Sequence, residues 1–362
     1  MERKAEVDSL EIVAIAFTNR CNLSCSHCGY DFLNRDKRQE LPASFFVKVI
    51  KDAHDLGAKG VNITGGEIFL RKDCFELIGA AVDLGYFVTL ESNGTLMTDA
   101  DVKKLKAFGN KIRIAISLDG ISREIHEGVR GIGTFDRTMT LLRALSEEGV
   151  PARINTVLQS GNMSEVQAIA RFAVEELRIG FRLLPFILEY GKGACACKTD
   201  GVSYENIEML TEGFLYPFMR EHPSDYITVG LNMALVPLDI EGHLACPWGK
   251  SMIGIGPSGI ASLCHVSNNN EQFTFGDLKT EALADIWGQN DRLMEFRNFN
   301  VDTLKGVCGN CLARRVCRGG CRLNAFSSYR DFLAPDSQCQ VVYNMGKFPA
   351  YALEDPERDC KF

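Results

Sequence analysis

No run of about 18 consecutive apolar residues occurs anywhere in the sequence, which excludes a membrane-spanning helix. The first ten residues, MERKAEVDSL, also lack the apolar core of a signal peptide. Together these absences predict a cytoplasmic protein with no membrane partner. An excess of positive charge is missing too. Lys and Arg number 40 against 47 Asp and Glu, for a formal net charge of −7. A nucleic-acid partner normally needs a basic face, so none is expected. Neither a fixed-period repeat nor a low-complexity segment is present. The 362 residues, 46% hydrophobic and 24% charged, therefore read as one large globular domain or two moderate ones.

Cysteine is what the chain has in abundance, with fourteen residues. In a small secreted protein that count would indicate disulfides. In a chain with no secretion signal it points to metal or catalytic use. The densest group lies in Thr18–Asn19–Arg20–Cys21–Asn22–Leu23–Ser24–Cys25–Ser26–His27–Cys28–Gly29–Tyr30, a C-x3-C-x2-C pattern. Three thiolates so close suit an iron–sulfur cluster or zinc, both of which select soft ligands. A tetrahedral zinc site wants four ligands, and only His27 lies nearby to complete one. A four-iron cubane held by three cysteines leaves one iron open to a substrate or cofactor.

Short β-rich runs alternate with amphipathic helical stretches from residue 11 to about 186. The runs are Glu11–Phe17, Gly60–Thr64, Phe87–Glu91, Lys111–Leu118, Ala152–Leu158 and Phe181–Phe186; helices are expected near 43–56, 72–84, 99–108, 136–148 and 164–177. Six such units predict an α/β fold, a partial TIM-like (β/α)6 barrel, whose functional groups sit where strands end. The cysteine group follows the first run. Gly65-Gly66-Glu67 follows the second, Ser92-Asn93-Gly94-Thr95 the third, and Ser117-Leu118-Asp119-Gly120 the fourth, with Arg130-Gly131 shortly after. Asn155 on the fifth run is placed facing inward.

In this order the motifs resemble the radical S-adenosylmethionine enzymes. The resemblance implies a [4Fe–4S] cluster on Cys21, Cys25 and Cys28 whose open iron chelates S-adenosylmethionine (SAM). His27 takes the place of the aromatic residue the family has before the third cysteine. Reductive cleavage of SAM to a 5′-deoxyadenosyl radical, followed by hydrogen abstraction from a substrate, is the implied activity. Gly65, Gly66 and Glu67 match the element that receives the methionine amino group. Asn93, Ser117 and Arg130 match further cofactor-binding positions, and an Arg meets a carboxylate with paired hydrogen bonds.

The second half of the chain holds Cys246-x12-Gly259-x4-Cys264, then Cys308-x2-Cys311-x5-Cys317-x3-Cys321 and, seventeen residues later, Cys339. Pro257-Ser258-Gly259 between β-like runs reads as a hairpin turn. This order, with Phe275-Gly276-Asp277-Leu278 and Ile286-Trp287 between the groups, resembles the cysteine-rich α+β SPASM extension of the same family. The likeness implies two auxiliary [4Fe–4S] clusters. Cys308, Cys311, Cys317 and Cys339 would hold the outer one; Cys246, Cys264 and Cys321 would hold the inner one. A fourth inner ligand is not evident, leaving Cys195, Cys197, Cys360 or a non-sulfur group to complete it. A pair of structural zinc ribbons is the alternative for this half.

The expected division is 1–188 for the barrel, 189–239 for a linker and helical bridge, and 240–362 for the auxiliary-cluster domain. Cys74, in an apolar helical stretch, is expected to be a core residue. Cys195 and Cys197 fall in a Gly-rich loop after the sixth run, at the expected substrate opening, as a hydrogen donor or a cluster ligand.

The resemblance implies a peptide or small-molecule substrate. Modification of a ribosomally made peptide by crosslinking, epimerisation or oxidation is favoured, with a flavodoxin or ferredoxin as reductant. Only about ten residues precede the first run, so leader recognition would fall to a separate leader-peptide-binding protein. The alternative substrate is a sugar, aminocyclitol or tetrapyrrole undergoing dehydrogenation, epimerisation or decarboxylation. A zinc-binding interaction protein is the reading from another class.

Overall fold

A computed structural model describes residues 9–29, 40–186, 191–222, 226–240, 246–268 and 270–362. Tyr30, the first eight residues and the expected boundary at 188 lie outside the described residues. Six parallel strands pair in chain order: β1 Ile12–Ala16, β2 Gly60–Thr64, β3 Phe87–Ser92, β4 Ile112–Ser117, β5 Ala152–Val157 and β6 Gly180–Leu184. The helices between them are α1 Ala43–Asp55, α2 Cys74–Asp83, α3 Asp99–Ala107, α4 Arg123–Arg130, α5 Phe135–Glu147 and α6 Val166–Arg171.

Local chemistry explains these elements. Helix α1 buries Phe46, Val49, Ile50 and Ala53, one stripe at helical spacing that seals against the sheet. Thr98 and Asp101 form a reciprocal capping box at the start of α3, satisfying donors the helix leaves open. Along the strands alternate residues, such as Ile112, Ile114 and Ile116, are fully buried beneath the helices.

The sheet runs beyond six strands. β7 Ile227–Val229 joins β6, while β8 Met252–Ile255 lies parallel to β1 on the other edge and carries β9 Ile260–Ser262 and β10 Thr274–Asp277 antiparallel beyond it. The expected hairpin turn is present, with Gly259 at φ +87°, a conformation glycine adopts without strain. Its first strand also docks on β1. The local alternation of the sequence marks a strand but does not encode a partner so far away in the chain.

One continuous hydrophobic core extends from α1 and α2 through the six strands to Ile253, Phe273 and Trp287. A smaller second core holds Leu304, Val307, Cys308, Cys311, Cys339 and Cys360. Cys74 is buried in the main core, as its apolar surroundings predict. Among the described residues, no helix is long and apolar enough to cross a membrane.

Candidate active site and cysteine centres

The loop after β1 carries Cys21, Cys25 and Cys28 to the C-terminal ends of the parallel strands. The glycine pair after β2 holds it there. Gly66 N donates to Thr18 O at 2.7 Å and Glu67 N to Arg20 O at 2.8 Å. A Cβ at Gly65 or Gly66 would collide with the carbonyl oxygens of Thr18 and Arg20, so only glycine permits this approach. Thr18 and Arg20 also bond the Glu40 carboxylate. Gly66→Ala is therefore expected to displace the cysteine loop. Iron at that site and SAM cleavage should fall together while the auxiliary-cluster absorption persists; full iron content in the variant would contradict this.

Hydrogen-bond donors converge on the sulfurs. Leu23 N lies 3.4 Å and Asn93 Nδ2 3.8 Å from Cys21 Sγ, while Arg130 Nη1 lies 3.9 Å from Cys25 Sγ. Burial raises the Cys21 thiol above its ordinary value and the Leu23 and Asn93 donors offset this only in part, so a metal's positive charge is needed for the thiolate that cluster binding requires. Among the described residues, no three His, Cys, Asp or Glu side chains are grouped so as to hold one metal ion; the thiolates of a cubane each bind a different iron. The donor set fits such a cluster.

Gly66, Glu67, Asn93 and Arg130, among the predicted cofactor residues, contact this loop. Asn93 also donates to Asn22 Oδ1 at 2.9 Å. Glu67 is fully buried and accepts from Ser92 Oγ, Asn93 N and Phe69 N at 2.8, 2.8 and 3.2 Å. It thereby fixes the end of β3 next to the cysteines. Ser117 stands half-buried at the end of β4, paired in register with Asn155 on β5.

Arg130 ends α4 and donates through Nε to Asp119 Oδ2 at 2.6 Å. Burial alone would raise the Asp119 carboxyl, but Arg130, His27 and the Val157 N–H outweigh it and hold it below its ordinary value. His27 is buried with Nε2 3.9 Å from Asp119 and Nδ1 3.5 Å from Gln159 Nε2. Desolvation pushes its imidazole down to about 4, so it is neutral near pH 7.

In the second half, Cys246, Cys264 and Cys321 are charge neighbours of one another. Trp248 brings two of them together. Its Nε1 donates to Gly320 O at 3.1 Å, and Arg318 lies over its ring at 4.4 Å. Gly254 on β8 leaves room for the Cys264 backbone, which a Cβ would strike.

Cys308, Cys311, Cys317 and Cys339 line one cavity with Asp336. The Asp336 N–H donates to Cys308 Sγ at 3.3 Å, and its carboxylate accepts from Cys321 N and Cys339 N at 3.1 and 3.3 Å. One buried carboxylate therefore ties the outer group to the inner one. Burial pushes the Cys308 thiol up to about 12 and Cys339 well above the usual thiol range. These sulfurs need a metal's positive charge to become thiolates.

The site was not read completely from the sequence. Asp119 was visible inside a strand-end motif, but its partner Arg130 comes from the following helix. Gln159 and Asp336 carried no local signal. The segment with Cys195 and Cys197 is a short helix, α7 Gly193–Thr199, rather than the loop expected from its glycines. Its Ala-Cys-Ala-Cys-Lys core sustains a helix turn once Gly191 is past. Gly193 N donates to Cys28 O at 3.2 Å and Lys192 Nζ to Ser24 Oγ at 2.5 Å, so α7 docks on the cysteine loop. Cys195 is exposed and Cys197 half-buried. Cys360 packs with Cys308, Cys311 and Cys339, beside the outer group rather than the inner trio.

Residues 15–173 match the model of the Radical SAM superfamily, and residues 246–312 match SPASM, an iron–sulfur cluster-binding domain. The chain carries both domains. The radical SAM domain implies SAM and a [4Fe–4S] cluster, and the SPASM domain implies auxiliary iron–sulfur clusters.

An AdoMet-dependent heme synthase of Methanosarcina barkeri is 27% identical over 359 residues, covering 95% of this chain and 99% of that protein. The PqqA peptide cyclase of Rhizobium meliloti is 26% identical over 329 residues, 89% of this chain and 84% of that one. Among solved structures, Streptococcus suis SuiB bound to the precursor peptide SuiA superposes with a TM-score of 0.74 at 20% identity, covering 91% of this chain and 75% of that one. This last likeness speaks to the fold alone. The match to the Radical SAM superfamily supports an enzyme.

Proposed function

We propose that the protein is a radical SAM enzyme that removes a hydrogen atom from a substrate held inside the partial barrel, and that this substrate is a ribosomally made peptide. The observation carrying the chemistry is the convergence of three thiols, their N–H donors and Arg130 at the ends of β1, β3 and β4. When bound, the cluster and SAM supply a carbon-centred radical able to abstract hydrogen.

The chain's own residues position these groups. Cys21, Cys25 and Cys28 hold the cluster, and Gly65 and Gly66 let the loop sit against β2. Asn93, Ser117, Arg130 and His27 line the cofactor's place, and Glu67 orients Asn93. The auxiliary clusters would rest on Cys308, Cys311, Cys317 and Cys339, and on Cys246, Cys264 and Cys321. Cys195 or Cys197, on the helix that docks on the cysteine loop, serves as a hydrogen donor or a further cluster ligand. Residues 1–188, 189–239 and 240–362 form the corresponding units, and a flavodoxin or ferredoxin provides electrons in the cytoplasm.

The PqqA peptide cyclase likeness supports the peptide reading. A second reading, a tetrapyrrole substrate, draws support from the heme synthase likeness along nearly the whole of both chains. It is also favoured by arginines on the barrel interior. Anaerobically reconstituted protein given dithionite and SAM should release 5′-deoxyadenosine and methionine and carry about twelve irons, four per cubane. Colourless, zinc-loaded protein that leaves SAM intact would reject the radical reading.

A further inference from the structure

The faces of β3–β6 turned away from the helices are unusually polar. They present Thr89 and Glu91, then Arg113 and Ser117, then Arg153 and Asn155, then Arg182, while Val88, Leu90, Ile114, Ile116, Ile154 and Leu183 lie buried on the opposite faces. Register places Ala115 and Gly180 directly beside Arg153, and Ser117 and Arg182 directly beside Asn155. The small neighbours matter, because a Cβ at Gly180 would come within 3.0 Å of the Arg153 Cβ. They leave open space around the guanidinium.

A cavity of about 580 Å³ opens at the N-terminal ends of β4–β7, lined by Arg113, Arg153, Gly180 and Thr228 together with Glu176 and Arg178. Arg153 Nε and Asn155 Oδ1 are buried with no hydrogen-bond partner. Arg182 and Arg113 are charge neighbours of Arg153, and the carboxylate that offsets them there is Glu91, which already accepts from Thr64 Oγ1 at 3.2 Å; Glu176 lies in the cavity lining as well. Burial first, and then repulsion from Arg182, push the Arg153 guanidinium down to about 10. Arg182 is also a charge neighbour of Cys246 and of His265, so the arginines run from the cavity towards the inner cysteine trio. Unpaired buried donors and like charges are costly alone and become favourable once an anion enters.

We propose that Arg153, with Arg182 and Arg113, forms a subsite that binds a carboxylate of the substrate inside the barrel. The proposal rests on the reading of the barrel interior as the substrate chamber. The carboxylate comes either from the propionate of a tetrapyrrole or from an acidic side chain of a peptide. In both cases a guanidinium meets it through paired hydrogen bonds.

Equilibrium dialysis of the reconstituted protein against coproporphyrin III, read by the porphyrin's own fluorescence, tests the first source. Hexaglutamate, with hexaglutamine as control, tests the second. The expected result is binding of at least one acid probe that weakens about tenfold or more in Arg153→Gln and Arg182→Gln, the loss expected for one charge-assisted hydrogen bond. Arg153→Lys, which keeps the charge, should recover part of it. The porphyrin tetramethyl ester and hexaglutamine should bind no better to wild-type protein than the acids bind to Arg153→Gln. Circular dichroism of each variant separates lost binding from lost folding.

Variant-sensitive binding of only one acid probe assigns the source of the carboxylate. Acid probes that bind wild-type and Gln variants alike, or bind neither, overturn the subsite. SAM cleavage by the wild-type preparation is scored separately, so failure of the radical reading stays distinguishable from failure of the subsite.

Discussion

Replacing Cys21, Cys25 and Cys28 together by Ala is expected to abolish the release of 5′-deoxyadenosine under reductant and to remove about four of about twelve irons. The remaining absorption should be that of the auxiliary clusters, because their cysteines are held by a separate set of contacts. Trp248 fastens to Gly320, and Asp336 bonds the backbone of Cys321 and Cys339. Nor should the triple variant lose its fold. The loop backbone is anchored through Thr18 O and Arg20 O to Gly66 and Glu67, none of which involves a thiol. Iron analysis, the visible spectrum and chromatographic detection of 5′-deoxyadenosine check the three parts together. A variant that still cleaved SAM would remove the assignment of these cysteines.

The barrel strands were legible because each signals itself locally: alternating apolar residues between polar turns, followed by an amphipathic helix. The strand-end rule then ordered Cys21, Gly65, Asn93 and Ser117 without knowledge of any contact. What escaped depends on contacts between distant residues. β8 lies beside β1 only because the chain returns after more than half its length, and nothing in its four residues specifies that partner.

Asp336 escaped for a related reason. An Asp before a helix is ordinarily a cap, and Asp336 does cap the helix Ser337–Asn344. Its bond from Cys321 N adds a role that spacing cannot show. Arg113, Arg153 and Arg182 are visible as charges in β-rich runs, yet only register reveals that they face one interior. The α7 segment shows the opposite error, where glycines suggested a loop and the intervening residues made a helix.

Loss of the Asp119 charge is expected to be among the most destabilising single changes in the barrel. Asp119 is fully buried, with Oδ2 accepting from Arg130 Nε at 2.6 Å and Oδ1 from Val157 N at 2.9 Å. Asp119→Asn keeps the shape and strands the Arg130 cation in a buried site, a change that costs about 3–5 kcal/mol in comparable broken pairs. Removing both charges, in Asp119→Asn/Arg130→Met, should recover a substantial part of that loss, since a buried pair replaced by neutral groups is often tolerated.

The sign of the pH dependence follows from the depressed carboxyl of Asp119. A group held below its unfolded value contributes fully above that value and loses its contribution as pH falls through the folded one. The stability gap between wild type and Asp119→Asn should therefore stay level from neutrality down to about pH 4 and close only in stronger acid. Urea unfolding at several pH values measures it. The same variant should also disturb the cysteine loop, because Arg130 reaches Cys25 Sγ and Val129 O accepts from Ser26 N. A gap below about 1 kcal/mol at neutral pH, or a double variant no more stable than Asp119→Asn, would show that the pair does not anchor this end of the barrel.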